Sequence, residues 1–126
     1  MSAADLLRRL YESYNARDWA AAESLFHEDA SVDLPVTSER LTGRPQVMEF
    51  QTEYPEPWGE MTVLRTVGDH GNAAAEVRVL APDGQDFRMA AFWQTRDGLL
   101  WRGTEYWTTA GSEAPPADRA SYQDQS

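Results

Sequence analysis

The sequence contains neither cysteine nor lysine among its 126 residues. Without cysteine, the chain forms no disulfide and offers neither a thiolate nucleophile nor a cysteine ligand for a metal. Without lysine, no side-chain amine is available for Schiff-base chemistry, so that covalent route is excluded as well. The side-chain cations are therefore arginines and two histidines, whose spacing does not predict a metal site.

Positive charge is scarce in this chain. Eleven arginines stand against 21 acidic residues, which gives a formal net charge of -10, and no basic run occurs. Nucleic acids and anionic membrane surfaces would repel such a chain, so we expect neither as a partner. The sequence also lacks a membrane-length apolar run and a signal-like segment behind a basic start. The expected protein is therefore soluble and cytoplasmic.

The remaining composition is that of a folded domain. Hydrophobic residues make up 41% of the chain, and 126 residues suit one domain rather than two. From Gly111 onward the sequence is polar, contains Pro115-Pro116 and has no periodicity. We therefore predict a domain over residues 1–110 and a polar tail over residues 111–126.

The first half of the chain contains three helical patterns. Apolar residues recur at helical spacing at Leu7, Leu10, Tyr11 and Tyr14. They predict an amphipathic helix over residues 4–16. Asp18 is placed to cap a second helix, which we expect to end at residues 27–29. A third helix should begin at residues 43–45, with proline in its first turn, and stop at residues 55–57.

Strand patterns dominate the second half. The predicted strands cover residues 30–34, 61–67, 73–81, 86–95 and 99–108. Pro82-Asp83-Gly84 and Arg96-Asp97-Gly98 are turn sequences that join the last three. Residues 35–42 are predicted to be a loop. Because helices and strands are segregated along the chain, we predict an α+β fold in which helices close the concave face of a strongly bent antiparallel sheet.

The last predicted strand carries an unusual set of side chains. Residues two apart share a face of a strand. On one face this strand would carry Trp101, Gly103, Glu105 and Trp107. A carboxylate between tryptophans is costly to bury without a partner, and Glu76 and Arg78 share a face of an earlier strand. Glu105, Arg78 and Glu76 are therefore the candidate catalytic residues of an aromatic-lined pocket.

Five further side chains are candidates for contact with a bound molecule. Tyr14 and Trp58 combine an apolar ring with a hydrogen-bond donor, Trp101 and Trp107 flank Glu105, and Asp33 ends a predicted strand near the expected pocket mouth. The alternative for the aromatic residues is ordinary packing in the core. For Asp33 the alternative is an exposed acid without a role.

Two interpretations of Glu105 remain open at the level of sequence. An apolar environment would raise the carboxyl pKa toward neutrality, as a general acid or base requires. Alternatively, Glu105 and Arg78 form a structural ion pair in a core that binds no ligand. Perturbed carboxylates occur in both situations, so the residue pattern alone does not choose between them.

Five local sequences carry a resemblance to a known family. They are Tyr14-Asn15-Ala16-Arg17-Asp18-Trp19, Leu25-Phe26-His27-Glu28-Asp29-Ala30, Leu41-Thr42-Gly43-Arg44, Trp93-Gln94-Thr95-Arg96-Asp97-Gly98 and Gly103-Thr104-Glu105-Tyr106-Trp107. With the order of elements, they resemble the nuclear transport factor 2-like superfamily, in particular its SnoaL-like and ketosteroid-isomerase-like branch. The resemblance covers residues 4–109 and implies a cone-shaped α+β roll closed by three helices.

The resemblance differs between branches of this superfamily. The three acid–base positions of the steroid isomerases fall here on Leu10, Leu34 and Ala91 or Phe92. That mechanism is therefore not carried over. The limonene-epoxide-hydrolase branch has arginine and aspartate two apart on one strand and a second aspartate on the last strand. Glu76-Val77-Arg78 resembles the first pair with its charges exchanged, and Glu105 matches the last acid.

The resemblance also implies function and assembly. It implies a pocket protein that performs cofactor-independent acid–base chemistry on a small apolar metabolite, as a polyketide-cyclase-like enzyme, dehydratase, isomerase or epoxide hydrolase. The alternatives are a non-catalytic ligand-binding or protein-interaction module and an accessory protein whose pocket is filled by side chains. A homodimer is implied through the outer face of the sheet, where Phe92 and Tyr106 would be aromatic anchors.

Overall fold

A computed structural model describes residues 1–55 and 57–123 of the chain. Its helices are α1 (Ala3–Ala16), α2 (Trp19–Glu23), α3 (Arg44–Thr52) and a 3-10 helix at Ala117–Tyr122. Its strands are β1 (Phe26–Leu34), β2 (Glu39–Thr42), β3 (Glu60–Gly68), β4 (Asn72–Leu80), β5 (Asp86–Arg96) and β6 (Leu99–Thr109). The predicted α+β class is confirmed.

Helix α1 forms where the apolar spacing predicts it. Ser2 and Asp5 make a reciprocal capping box: each side chain accepts a hydrogen bond from the backbone N–H of the other, at 3.1 and 3.3 Å. The apolar face is buried and consists of Ala3, Leu6, Leu7, Leu10, Tyr11 and Tyr14. This face packs against β3 and β4, so α1 covers the inner face of the sheet.

The strands form one curved, open sheet in the order β2-β1-β6-β5-β4-β3. Strands β3 to β6 are the predicted antiparallel meander. The sheet is not antiparallel throughout, because β1 runs parallel to β6. Register shifts between Val63 and Arg65 in β3 and between Gln94 and Thr95 in β5 mark bulges, which bend and twist a sheet locally.

Two local predictions are wrong. Residues 35–42 are not all loop, because Glu39–Thr42 pairs with β1 as an exposed edge strand whose polar sequence shows no alternation. Residues 27–29 do not end a helix but belong to β1, which begins at Phe26. Phe26 pairs with Leu100, and both are buried, so this long-range contact overrides the local helical spacing.

The two faces of the sheet carry different residues. In β4 the inner, buried positions are Ala73, Ala75, Val77 and Val79. Across the strands, Ala75 pairs with Ala91 and Ala91 pairs with Glu105, so Glu105 lies on the inner face. The neighbouring row, which includes Glu76 and Tyr106, lies on the outer face.

The chain after β6 remains polar. Its 3-10 helix, Ala117–Tyr122, contributes no buried residue. Residues 124–126 of the predicted tail and Glu56 of the predicted helix stop lie outside the described residues. The domain boundary at residue 110 stays a prediction.

We predict that two copies of the chain pair through the outer face of the sheet. Phe92 and Tyr106 contact each other edge to face at 6.3 Å, yet remain 53% and 46% exposed. Exposed aromatic pairs are typical of interface centres. Light scattering at roughly 50 µM should give twice the chain mass, since a typical interface persists at that concentration.

Phe92→Arg should shift this equilibrium toward one chain, because it places a charge at the centre of the proposed interface. The matched control is Tyr122→Arg, which introduces the same charge on the exposed 3-10 helix and should leave the mass unchanged. A wild-type protein of single-chain mass would contradict the prediction.

Candidate functional site

A cavity of about 250 Å³ opens on the inner face of the sheet, beside α3. Its apolar lining includes Leu34, Phe50, Trp58, Met61, Val79, Phe87 and Trp107. Its polar lining includes Thr37, Glu39, Gln51, Asp83 and Gln85, and one carboxylate that is only partly exposed, Glu105. An apolar pocket with a few convergent polar groups is the usual form of a small-molecule site.

Glu105 is held on the cavity wall by neutral hydrogen-bond donors. The Tyr11 hydroxyl donates to Glu105 Oε2 at 2.7 Å, and Trp107 Nε1 donates to Oε1 at 3.3 Å. The Tyr11 hydroxyl in turn accepts from Trp93 Nε1 at 3.3 Å. The donors therefore point in one direction, from Trp93 through Tyr11 to Glu105.

The charge of Glu105 has no cationic partner in the described part of the chain. Burial raises the pKa of its carboxyl, and the hydrogen bonds from Tyr11 and Trp107 only partly oppose the rise. Burial and the nearby carboxylate also raise the pKa of Tyr11 well above its ordinary value, so Tyr11 stays a donor. A carboxyl in this state can exchange a proton with a bound molecule.

Gly103 determines how Trp93 reaches Tyr11. The two residues are register partners on β5 and β6, and the buried Trp93 indole lies directly over the Gly103 backbone. A Cβ at this position would overlap the indole ring. The absent side chain of Gly103 therefore provides the space in which Trp93 orients Tyr11.

Tyr11 is the site residue that the sequence interpretation missed. It lies on the predicted apolar face of α1, where helical spacing by itself indicates only packing in the core. Arg78 is the partner that the sequence suggests for Glu105, whereas the structure supplies neutral donors from α1 and β6. The available signal was chemical, since a tyrosine on a fully buried helix face requires a hydrogen-bond partner.

Glu76 and Arg78 do not join Glu105. They occupy the outer face of β4, where Arg78 pairs with Asp86 at 3.1 Å and Glu76 with Arg65 at 3.4 Å. The alternative in which Glu105 and Arg78 form a structural ion pair is therefore wrong, and Glu76 and Arg78 do not act together with Glu105 in one site. The physical reason is the strand alternation, which gives the inner positions of β4 to small apolar residues.

Trp101 does not share a face with Glu105. The pairing of β6 with β5 steps from Arg102 to Leu100, which leaves Trp101 in the bulge. The Trp101 ring instead contacts the guanidinium groups of Arg102 and Arg96, at 4.1 and 5.1 Å from the ring centroid. Simple alternation along the strand predicts the wrong face because it assumes an unbroken ladder.

The remaining predicted binding residues divide between cavity, core and outer face. Trp58 and Trp107 line the cavity. Tyr14 is buried in the core, and its ring centroid lies 6.1 Å from the ring centroid of Tyr11 and 6.1 Å from that of Trp19. Asp33 lies beside an open groove on the outer side, where it pairs with Arg40 at 2.6 Å rather than facing this cavity.

Neither a metal-binding cluster nor a membrane-spanning helix is found in residues 1–55 and 57–123. No three histidine, aspartate or glutamate side chains are grouped closely enough to hold a metal ion. No helix there has the length and apolar character needed to cross a membrane.

Tyr11→Phe should raise the pKa of Glu105 further, because it removes a hydrogen bond that favours the carboxylate. It should also cost about 1 kcal/mol of stability, the usual contribution of a hydrogen bond. A pH titration followed by carboxyl-carbon NMR measures the first effect. Tyr106→Phe, on the outer face, is the control and should leave the titration unchanged; an unshifted titration in Tyr11→Phe would show that Tyr11 does not tune Glu105.

The SnoaL-like domain family matches residues 7–103, which include most of α1 and most of the sheet but end before Glu105 and Trp107 of the cavity wall. The chain belongs to this family. The expected superfamily is thereby confirmed, together with its fold. No curated protein matches this SnoaL-like domain.

Solved structures support the same assignment. A candidate ketosteroid isomerase from Kribbella flavida is 32% identical, with coverage of 98% of this chain and 88% of that one and a TM-score of 0.88. An NTF-2 like protein of unknown function from Burkholderia xenovorans is 21% identical (96% and 92% covered, TM-score 0.79). An LEH-like epoxide hydrolase from M. tuberculosis is 13% identical (83% and 81%, TM-score 0.70). The last two show the fold alone.

Proposed function

We propose that this SnoaL-like domain is a cofactor-independent enzyme that moves a proton on a small, mostly apolar molecule, with Glu105 as the acid–base group. The observation that carries the proposal is the position of Glu105, on the wall of an apolar cavity, without a cation and with a raised pKa. Such an environment raises the pKa of a carboxyl in the direction that a general base at neutral pH requires.

Each neighbour of Glu105 has a distinct role in this proposal. Tyr11 and Trp107 hold one carboxylate oxygen each, which fixes the direction of the remaining lone pairs. Trp93 holds Tyr11 as a donor. These are positioning residues, whereas Glu105 is the catalytic residue that contacts the substrate.

The composition of the cavity favours proton transfer at carbon over epoxide opening. Opening an epoxide requires a base for water and an acid for the epoxide oxygen. The only carboxyl on the inner wall among the described lining residues is Glu105, and Glu76 and Arg78 lie on the other face of the sheet. The Kribbella relative is named as a candidate ketosteroid isomerase, which agrees with this preference, although the acid–base positions of the steroid isomerases are apolar in this chain and Glu105 would act from a different position.

The proposal can be tested before a substrate is known. Small cyclic enones and aryl ketones would be incubated with the protein in deuterium oxide, and deuterium uptake next to the carbonyl followed by mass spectrometry. Styrene oxide in ¹⁸O-labelled water tests epoxide opening in parallel. We expect uptake with the wild-type protein and with Glu76→Gln, and loss of uptake with Glu105→Gln.

Binding of these molecules without uptake or hydrolysis would favour the alternative, a non-catalytic ligand-binding module. Epoxide hydrolysis that depends on Glu105 would retain the catalytic carboxyl but overturn the preferred reaction.

A further inference from the structure

The charged side chains that line the cavity are all acidic. Glu105 lies on the wall, and Glu39 and Asp83 lie at the exposed mouth. No arginine or histidine occurs among the described lining residues, although the chain contains 11 arginines. A bound carboxylate or phosphate would therefore meet like charge and no cation among the lining residues that the structure describes.

Three acids on the outer face of the sheet differ from the acids of the cavity mouth. There Asp33, Glu76 and Asp86 each lie within 3.4 Å of an arginine nitrogen. The mouth acids have no arginine partner within the described residues. Glu39 accepts from the Thr37 hydroxyl, and Asp83 accepts from the backbone N–H of Gln85. The negative charge of the mouth is thus left without a counter-charge.

Aromatic rings make up much of the lining between the mouth and Glu105. They are Phe50, Tyr54, Trp58, Phe87 and Trp107. One face of Trp58 is already covered by a cation of the protein, because the Arg17 guanidinium lies 3.6 Å from its ring centroid, so the other rings remain for a ligand. An interior of rings suits an apolar body, and an acidic, solvated mouth suits a positively charged end.

We propose that the cavity binds protonated amines that carry an apolar body. The ammonium group lies at the mouth with Glu39 and Asp83, where it keeps part of its hydration, and the apolar body reaches inward to Glu105. The net charge of -10 adds a long-range attraction for such cations. This inference names the substrate class of the proposed enzyme and therefore rests on the proposed function of the cavity.

Three probes of similar shape test the charge preference: 2-phenylethylammonium, 2-phenylethanol and phenylacetate. Their affinities would be measured by NMR titration at low ionic strength. We expect the ammonium to bind roughly tenfold more tightly than the alcohol, as a charge-assisted contact allows, and the carboxylate to bind most weakly. Added salt should reduce the difference.

The double variant Glu39→Gln/Asp83→Asn should lower the affinity for the ammonium to about that for the alcohol and leave the alcohol unaffected. Glu12→Gln/Glu23→Gln is the matched control, since it removes the same net charge from exposed sites on α1 and α2. It should retain the preference for the ammonium.

Equal affinity for ammonium and alcohol, tighter binding of phenylacetate, or binding of none of the three would overturn the inference. The inference would also be overturned if the mouth variant Glu39→Gln/Asp83→Asn kept the preference for the ammonium while the control variant lost it. The proposed enzyme function would be contradicted by a different result, namely unchanged turnover in Glu105→Gln. The two failures can therefore be distinguished.

Discussion

Glu105→Gln should lower kcat/KM by roughly a hundredfold or more, the usual scale for a lost acid–base group. The amide keeps the shape of the side chain, and its oxygen still accepts from Tyr11 or Trp107, but it cannot exchange a proton as the carboxyl does. The deuterium-uptake assay, followed by steady-state kinetics on any substrate it identifies, measures the loss.

The fold should survive this substitution, because the ionised carboxylate of Glu105 does not stabilise the folded protein at neutral pH. Because the pKa of Glu105 is raised in the folded protein, its ionised form is disfavoured there. The contribution of Glu105 to stability is therefore complete below its ordinary pKa of 4.5 and is lost as the pH rises through the raised value. At neutral pH, Glu105→Gln should unfold in urea at the same concentration as the wild type or a higher one.

Comparison with Glu76→Gln separates the catalytic effect from a general charge effect. Glu76 lies on the outer face in an exposed contact with Arg65, so kcat/KM should stay within about twofold of the wild type. Wild-type turnover by a folded Glu105→Gln protein would remove Glu105 from the mechanism. Loss of turnover together with loss of fold would instead indicate a structural role.

The placement of Glu105 and Trp107 was predictable from the sequence because both follow the simple alternation of a strand. The same rule fails at Trp101, where the strand has a bulge. A bulge depends on how two strands pair, so the sequence of one strand alone does not reveal it. The short helix-like spacing before residue 30 fails for a related reason. Burial of Phe26 against β6 outweighs a local preference.

The partners of Glu105 were harder to predict than its position. Opposite charge alone suggests Arg78 as the partner, but the apolar alternation in β4 assigns Arg78 to the outer face. Tyr11 is 94 residues away from Glu105 in the sequence, and only the packing of α1 across the sheet brings them together. A contact of this kind depends on tertiary geometry, which composition and periodicity do not contain.

Gly103→Ala should destabilise the fold by about 2 to 3 kcal/mol, the upper part of the range for overpacking a core. The new methyl group would overlap the Trp93 indole, which is 2% exposed and also packs against Phe26. Thermal unfolding should show a midpoint lowered by roughly 10 °C.

Gly71→Ala is the matched control for this substitution. No atom lies within 4 Å of a Cβ built at Gly71, so the change should stay within about 0.5 kcal/mol. A second test uses Trp93→Leu, which removes the ring that causes the overlap. In that background Gly103→Ala should cost clearly less than in the wild type. Equal costs in both backgrounds would mean that the indole is not the source of the strain.

The effect of Gly103→Ala should also reach the site, because Trp93 links the core to Glu105. If the indole is displaced, its N–H no longer orients the Tyr11 hydroxyl, and the hydrogen bond from Tyr11 to Glu105 weakens. The pKa of Glu105 should then rise above its wild-type value, as it should in Tyr11→Phe. Carboxyl-carbon NMR on the folded fraction of Gly103→Ala measures this. A lowered or unchanged pKa would show that the Trp93–Tyr11 contact does not control the Glu105 carboxyl.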